Sequence, residues 1–231
     1  VPEAVHMLYG DLADADSLVA AVNVCMPNEV YNLGGVTVLK TAQDFPELTW
    51  KVNHESVRVL LDASLAVNPS VRLLQASSFV TFLPSATPVH EDSPRDVQST
   101  QPYVKAKVTA DRDVIKKTRD ERQAFACSAI MSSHESPRRT DQAVIRQVTC
   151  TLVKIKLGLA SCLAIGNVDA SRDWGFAGDY VEAMWEMLQL DAPEDFVIAS
   201  GTLYTVRDVI NLTAEALDLA MADDPSVYVI G

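Results

Sequence analysis

The chain has 231 residues, 48% of them hydrophobic and 22% charged, which is enough apolar material for one substantial core and too much for a disordered chain. Its 19 basic residues against 31 acidic ones leave a formal charge of −12, which argues against nucleic acid or an anionic membrane as the main partner. No apolar run reaches the roughly 18 residues that span a bilayer, and the opening VPEAVHMLYG lacks a signal-peptide pattern. Cys25, Cys127, Cys150 and Cys162 are too scattered for a disulfide framework or a zinc site, so the expectation is a cytoplasmic protein with mostly buried free thiols and no metal.

Short β-rich runs then alternate with longer stretches of helical period. VHMLY (5–9) reads as a strand, 16–25 as a helix, EVYNLG (29–34) as a strand and 46–66 as a helix. There follow a strand at VRLLQAS (71–77), a helix over 103–121, a strand at AFACSAIM (124–131), a helix over 142–157 and a strand at CLAIGN (162–167). A helix over 178–190, a strand at DFVIAS (195–200) and a helix capped by Thr205 complete the pattern. Such alternation predicts an α/β fold whose doubly wound parallel sheet is covered by helices on both faces. The stretch 83–101 carries Pro84, Pro88 and Pro94, too many for a regular element, and a long ordered loop in such a fold is usually functional. The Asn211-Leu212-Thr213 sequon falls inside a predicted helix and is discounted.

Ligands of open parallel sheets sit at the carboxyl ends of the strands, so the residues that follow strands carry the functional information. Asp11 and Leu12 follow the first run, and Gly34 and Gly35 follow the second, where missing side chains let a ligand approach the backbone. The third run ends in QASSFV. Pro102 then starts a helix that places Tyr103 and Lys107 on one face, four residues apart. An ammonium beside a phenol favours the phenolate, so Tyr103 is expected to titrate below its ordinary range and act as a general acid or base, with Lys107 also holding a ribose hydroxyl. Taken alone, the glycines equally suit a tight turn, and Tyr-x-x-x-Lys recurs in helices as a plain packing pair.

The motifs EVYNLGG, QAS, PYVKAK, SHESPRR, IKLG, GNVDASRDWGFAGDYVEAMWEML and DFVIASG, in that order, resemble the GDP-mannose 4,6-dehydratase family of the extended short-chain dehydrogenase/reductase superfamily, the NAD-dependent epimerase/dehydratases. The resemblance runs along essentially the whole chain. It implies a Rossmann-like fold, an NADP cofactor, GDP-mannose or a related sugar nucleotide as substrate, and lyase chemistry in nucleotide-sugar metabolism towards GDP-fucose. In that chemistry C4 of mannose is oxidised by hydride transfer, water is eliminated across C5 and C6, and the hydride returns to C6. It implies that Ser78, Tyr103 and Lys107 are catalytic. It sets Asp11 and Leu12 against the adenine and Leu33, Gly34 and Gly35 along the cofactor near its nicotinamide half. His134 and Arg139 of HESPRR would bear on NADP as a local anion clamp; otherwise the arginines are a solvated pair. Ser133, Glu135 and Arg172 would face the sugar nucleotide, although Arg172 also reads as a surface ion pair with Asp173 or Asp179. Residues 1–231 then form a single partial NAD(P)-binding domain, with 132–160 and 195–231 contributing to the substrate part. A homo-oligomer, or assembly with a paralogue, follows from the same likeness.

The departures from the family pattern are equally specific. The resemblance begins near the third strand, so the opening βαβ unit with its Gly-rich pyrophosphate turn is expected to be missing, and the final substrate-binding segment is short. The family's Gln-Ala-Ser-Thr-Ser-Glu reads QASSFV here, which leaves Val80 where the elimination step has its glutamate base. Val36 and Thr37 stand where the family has Gln-Ser, and Lys105 is an added cation. Two further readings stay open. One is a catalytically inactive homologue serving as a binding or subunit-interaction module; the other is a related epimerase or reductase that needs only Tyr103 and Lys107.

Overall fold

The computed structural model describes residues 5–219 and 228–230. Its elements are α1 (Ala15–Cys25), β1 (Glu29–Asn32), α2 (Leu39–Asp44), α3 (Pro46–Trp50), α4 (Ser56–Val67), β2 (Arg72–Ser78), α5 (Pro102–Thr109), α6 (Lys117–Arg122) and β3 (Phe125–Met131). Then come β4 (Ser133–Glu135), α7 (Val144–Lys156), β5 (Leu163–Ile165), β6 (Ser171–Phe176), α8 (Ala177–Gln189), β7 (Phe196–Ile198), β8 (Leu203–Thr205), α9 (Val206–Ala216) and β9 (Tyr228–Ile230). Wide π-type turns at Lys51–Glu55 and Ala110–Lys116 splice α3 to α4 and α5 to α6. The chain divides into two compact units. One runs through Met131 and resumes over Glu182–Ile198; the other comprises Ser132–Val181 and the residues from Ala199 on.

In the first unit the strands form an all-parallel sheet in the order β1-β2-β3-β7. Every residue of β2 from Leu73 to Ser77 is buried, as a strand covered on both faces must be. Val57 and Leu61, one helical turn apart on α4, meet Val114 and Ile115 of the second wide turn over Leu73 and Ala126 of the sheet. Two amides sit inside this apolar layer in a short chain of hydrogen bonds: Asn32 Nδ2 donates to Gln75 Oε1 at 2.7 Å, and Gln75 Nε2 donates to the Ala76 carbonyl at 2.9 Å. At the far edge the Arg119 guanidinium grips Asp195 through two bonds of 2.9 and 3.0 Å, and Asp195 also accepts the Ser128 backbone N–H.

The second unit pairs β4 with β6 in parallel and β6 with β8 antiparallel, while β5 pairs with β9. Its core joins Val148 and Leu152 of α7 to Leu163, Ile165, Val206 and Ile210. Thr205 caps α9 as expected, and Asp208 returns the bond to the Thr205 N–H in a capping box.

Several expectations change. Residues 5–9 form no strand: Val5, Met7, Leu8 and Tyr9 are exposed, and no described strand lies beside them to take their hydrogen bonds. The expected helix over 46–66 starts earlier, as α2, and is broken by Pro46 and the first wide turn. β4, β6, β8 and β9 were not expected. Of the thiols only Cys127 is buried, because Cys25 ends α1 at the surface and Cys150 and Cys162 are half-buried. Residues 1–4, 220–227 and 231 lie outside the described residues, and with them part of the 195–231 substrate stretch. Among the described residues no helix is long and apolar enough to cross a membrane.

The first wide turn also buries His54, stacked on Trp50 with ring centroids 4.1 Å apart and with neither ring nitrogen hydrogen-bonded. Burial, with the nearby Arg58, lowers its pKa below the ordinary 6.5, against smaller opposing effects of Glu55 and Asp113. The unfolded chain therefore takes up a proton near pH 6.5 that the folded chain resists, and stability falls as pH drops below that value. Urea midpoints measured at pH 7.5 and pH 5.5 should differ less in His54→Phe than in the unaltered chain; an equal difference in both would remove His54 from the acid response.

Candidate active site

Pro102 at the first position of α5 starts the helix that carries Tyr103 and Lys107 inward, 8% and 4% exposed. The Lys107 ammonium donates to the Ala76 carbonyl near the end of β2 at 2.7 Å. Burial pushes its pKa down to about 8, and the Asp111 carboxylate resists that fall. The Tyr103 phenol shares a hydrogen bond with Ser78, the last residue of β2. The expected shift of Tyr103 toward the phenolate is corrected: burial raises its pKa, and its near neighbours are the Ser78 hydroxyl and the field of Asp111 rather than a free ammonium. Tyr103 is therefore protonated at neutral pH.

The turn after β1 is held from the first wide turn. Asn53 Nδ2 donates to the Val36 carbonyl at 2.9 Å, and the Val36 N–H donates to Asn53 Oδ1 at 2.8 Å, so one side chain pairs with the loop as a neighbouring strand would. A Cβ on Gly35 would stand 2.8 Å from that same Oδ1, which leaves glycine as the residue that fits. Gly34 packs over Leu12, where a Cβ would come 2.6 Å from its Cδ1. Asp11, Leu12 and Gly35 line one cavity of about 320 Å³ with Tyr9, Gly10, Val36 and Val52. The Asp11 carboxylate is engaged in its own turn, accepting the Ala13 N–H, and Leu33 is exposed.

The residues that depart from the family pattern come together. After Ser78 the chain turns through Phe79–Thr81, and Val80 packs with Val36 against Ala42, Tyr103 and Val104. The flank of Tyr103 is thus hydrocarbon. Glu91, the nearest acid of the proline-rich stretch in sequence, accepts the Val197 N–H at 2.8 Å and so serves β7. Asn53 and Asp111 escaped the reading of the sequence. Their signal, a polar residue on the apolar side of a predicted helix, was there for Asn53, but the wide turns that aim them have no sequence signature.

In the second unit, Ser133, His134 and Glu135 form β4 opposite Trp174, Gly175 and Phe176 of β6. His134 lies against Tyr180 with ring centroids 4.8 Å apart, and its Nδ1 stands 3.0 Å from the Ser132 carbonyl; that carbonyl only accepts, so Nδ1 donates. Gly175 is required because a Cβ there would overlap the Tyr180 ring. Arg139 Nε lies 3.3 Å from Glu135 Oε2, so the positive charge of HESPRR is balanced within its own loop. Burial raises the Glu135 pKa against the pull of Arg139 and His134. Arg172 is exposed and donates to its neighbour's carbonyl, that of Ser171. Asp173 is committed elsewhere, to the Ser132 hydroxyl at 3.0 Å, the Ser200 N–H and hydroxyl at 2.9 Å each, and the Gly201 N–H at 2.8 Å. Burial would raise its pKa; those bonds outweigh burial and lower it.

A parallel sheet with a glycine turn after one strand and a buried Tyr-x-x-x-Lys helix after the next defines a Rossmann-type domain of the short-chain dehydrogenase/reductase class. Solved structures agree on the fold: RMD from Pseudomonas aeruginosa, complexed with NADPH, superposes with a TM-score of 0.85 at 24% identity over 100% of this chain and 82% of that one. The UDP-glucose 4-epimerase of Thermus thermophilus, complexed with NAD, gives 0.80 at 21% identity over 100% and 78%. Within that class, the family model for GDP-mannose 4,6 dehydratase matches residues 1–227, and the chain belongs to that family. The GDP-mannose 4,6-dehydratase of Vibrio cholerae is 40% identical over 92% of this chain and 57% of the relative; the human protein is 42% identical over 87% and 54%. The chain spans a little over half the length of these curated relatives.

Asp173 gathers four donors, and a hydrogen bond to a charged group contributes roughly 1.5–3 kcal/mol. Asp173→Ala should destabilise the chain by about 2 kcal/mol or more and speed amide exchange at Ser200 and Gly201. Unchanged exchange at both amides would mean that Asp173 does not hold the segment before β8.

Proposed function

We propose that this chain is a GDP-mannose 4,6-dehydratase-type polypeptide that keeps the hydride-transfer half of the reaction and has lost the base of the elimination half. The observation that carries the reading is the contrast around Tyr103. Ser78 and Lys107 gather with it at the end of β2, while Val80 and Val36 cover its flank. The residues fit a nicotinamide dinucleotide, since Gly35 has no room for a side chain beside a cavity lined by Asp11 and Leu12. NADP is the form favoured by the family motifs and by the NADPH held by the Pseudomonas aeruginosa protein. When bound, it supplies the hydride acceptor for C4 of the mannose.

Lys107 binds a ribose hydroxyl and, charged below a pKa of about 8, supports negative charge developing on Tyr103. Once its own phenolic proton has passed to solvent, Tyr103 takes the C4 hydroxyl proton as the phenolate, with Ser78 holding the sugar oxygen. Leu33 and Gly34 line the cofactor beside Gly35. The match to SHESPRR and RDWG supports His134 and Arg139 as residues for the cofactor and Ser133, Glu135 and Arg172 as residues for the sugar nucleotide. A valine cannot accept the C5 proton, and the side chains of Val36, Ala42 and Val104 around it are hydrocarbon. Assembly with a second copy or a longer paralogue rests on the family likeness alone.

The hydrocarbon flank of Tyr103 also suits the second reading, a binding or subunit-interaction module without turnover. Mixing the chain with NADP and GDP-mannose separates the two: slow nicotinamide reduction without GDP-4-keto-6-deoxymannose supports the first, and binding with no reduction supports the second. Reduction should decline as pH rises through about 8, where Lys107 loses its proton. Grafting Ser-Ser-Phe-Val into an active relative should cut product formation about 10²- to 10⁴-fold, with recovery when glutamate is restored at the fourth position. Product at the relative's own rate would show that Val80 does not mark the lost base.

A further inference from the structure

Beside the Tyr103–Lys107 pair lies a carboxyl group that the reaction chemistry does not use. Asp111 sits in the second wide turn, four residues past Lys107, with only 12% of its side chain exposed. Its Oδ1 accepts the Ser128 hydroxyl from β3 at 2.9 Å, and its Oδ2 accepts the Ser77 hydroxyl from β2. Arg95 Nη1 stands 3.8 Å from Oδ2. That arginine is itself fixed, donating to the Thr81 hydroxyl and lying 4.1 Å over the Phe82 ring. One carboxylate therefore joins the two central strands, the proline-rich stretch and the helix of Tyr103.

A buried ionised carboxylate is costly unless cations and donors compensate it, and here both are supplied. Burial raises the Asp111 pKa, and the Ser77 hydroxyl, Arg95, the Ser128 hydroxyl and Lys107 pull against that rise. Lys107, as deeply buried, anchors beside it: its ammonium donates to the Ala76 carbonyl, a neutral acceptor, and the next residue of β2, Ser77, donates to Asp111.

We propose that Asp111 is a positioning residue whose carboxylate, aligned by Ser77 and Ser128 and faced by Arg95, keeps the Lys107 ammonium charged and directed at the end of β2. Arg95 from the proline-rich stretch and the two serines from the strands touch it, and its field reaches Lys107 and Tyr103 of α5. Asp195 and Glu91 act on it indirectly, through Arg95. Asp111 raises the pKa of Lys107 and also that of Tyr103, so both rest in their protonated forms. The role rests on reading that pair as the dinucleotide-facing one, yet the charge coupling can be measured without cofactor.

The experiment is a pH titration of the lysine Cε and aspartate carboxyl resonances in the unaltered chain and in Asp111→Asn. In Asp111→Asn, the Lys107 inflection should move down by about one pH unit. The NADP dissociation constant should rise about fivefold at pH 8 and return to the unaltered chain's value at pH 6, which is the consequence of such a shift for a group titrating near pH 8. A purely structural role predicts the same loss of affinity at both pH values, and that result, or an unmoved Lys107 inflection, overturns the proposal. Should Asp111→Asn fail to fold, the unaltered chain still decides, because the Asp111 carboxyl resonance must respond at the pH where Lys107 titrates. If it does not respond, the proposal fails. If the unaltered chain binds no NADP, the dinucleotide reading falls while the titration still reports on Asp111.

Discussion

An ammonium group held out of water at the end of the central strand is the constraint around which the first unit is arranged. Lys107 can donate to the Ala76 carbonyl only if β2 ends where it does, if α5 presents its inner face there, and if compensating negative charge lies close by. The amide pair Asn32–Gln75 keeps polar groups satisfied along the same strand, so the burial of β2 leaves few unpaired donors beneath the site. Depressed to about 8, the lysine sits closer to neutrality than an exposed one, which makes its charge sensitive to a nearby carboxylate.

Much of this was legible in the chain itself. The run VRLLQAS is apolar without alternation, as a strand covered on both faces should be, and its observed span Arg72–Ser78 differs by one residue at either end. Tyr103 and Lys107 were legible as a four-residue spacing behind a helix-starting proline. Their protonation was not, because it depends on burial and on Asp111, which reaches Ser77 and Ser128 across the sheet through a widened turn. VHMLY had the composition of a strand, but a strand exists only through the hydrogen bonds of a neighbour, and no described strand supplies them. The short strands β4, β6 and β8 are partly exposed and carry Ser, His, Glu, Arg and Asp, so neither period nor propensity marks them.

The two units solve the problem of buried polarity in different ways. The first divides its charge between an ammonium, a carboxylate and a guanidinium that sit close to one another. The second concentrates its acceptors in Asp173, which gathers hydroxyl and backbone donors in place of a cation. In HESPRR the charge is settled locally, Arg139 against Glu135. A sugar nucleotide bound there would have to compete with that pair for the guanidinium.

The apolar packing of Val80 and Val36 on Tyr103 bears on which side chains position 80 can hold. A lone glutamate at position 80 would set a carboxyl group against Ala42, Val36 and Val104, and a desolvated carboxyl tends to hold its proton. A base that works at that point requires polar neighbours as well. The hydrocarbon flank of the tyrosine thus makes position 80 a poor place for a lone charged side chain, whatever chemistry the rest of the pocket supports.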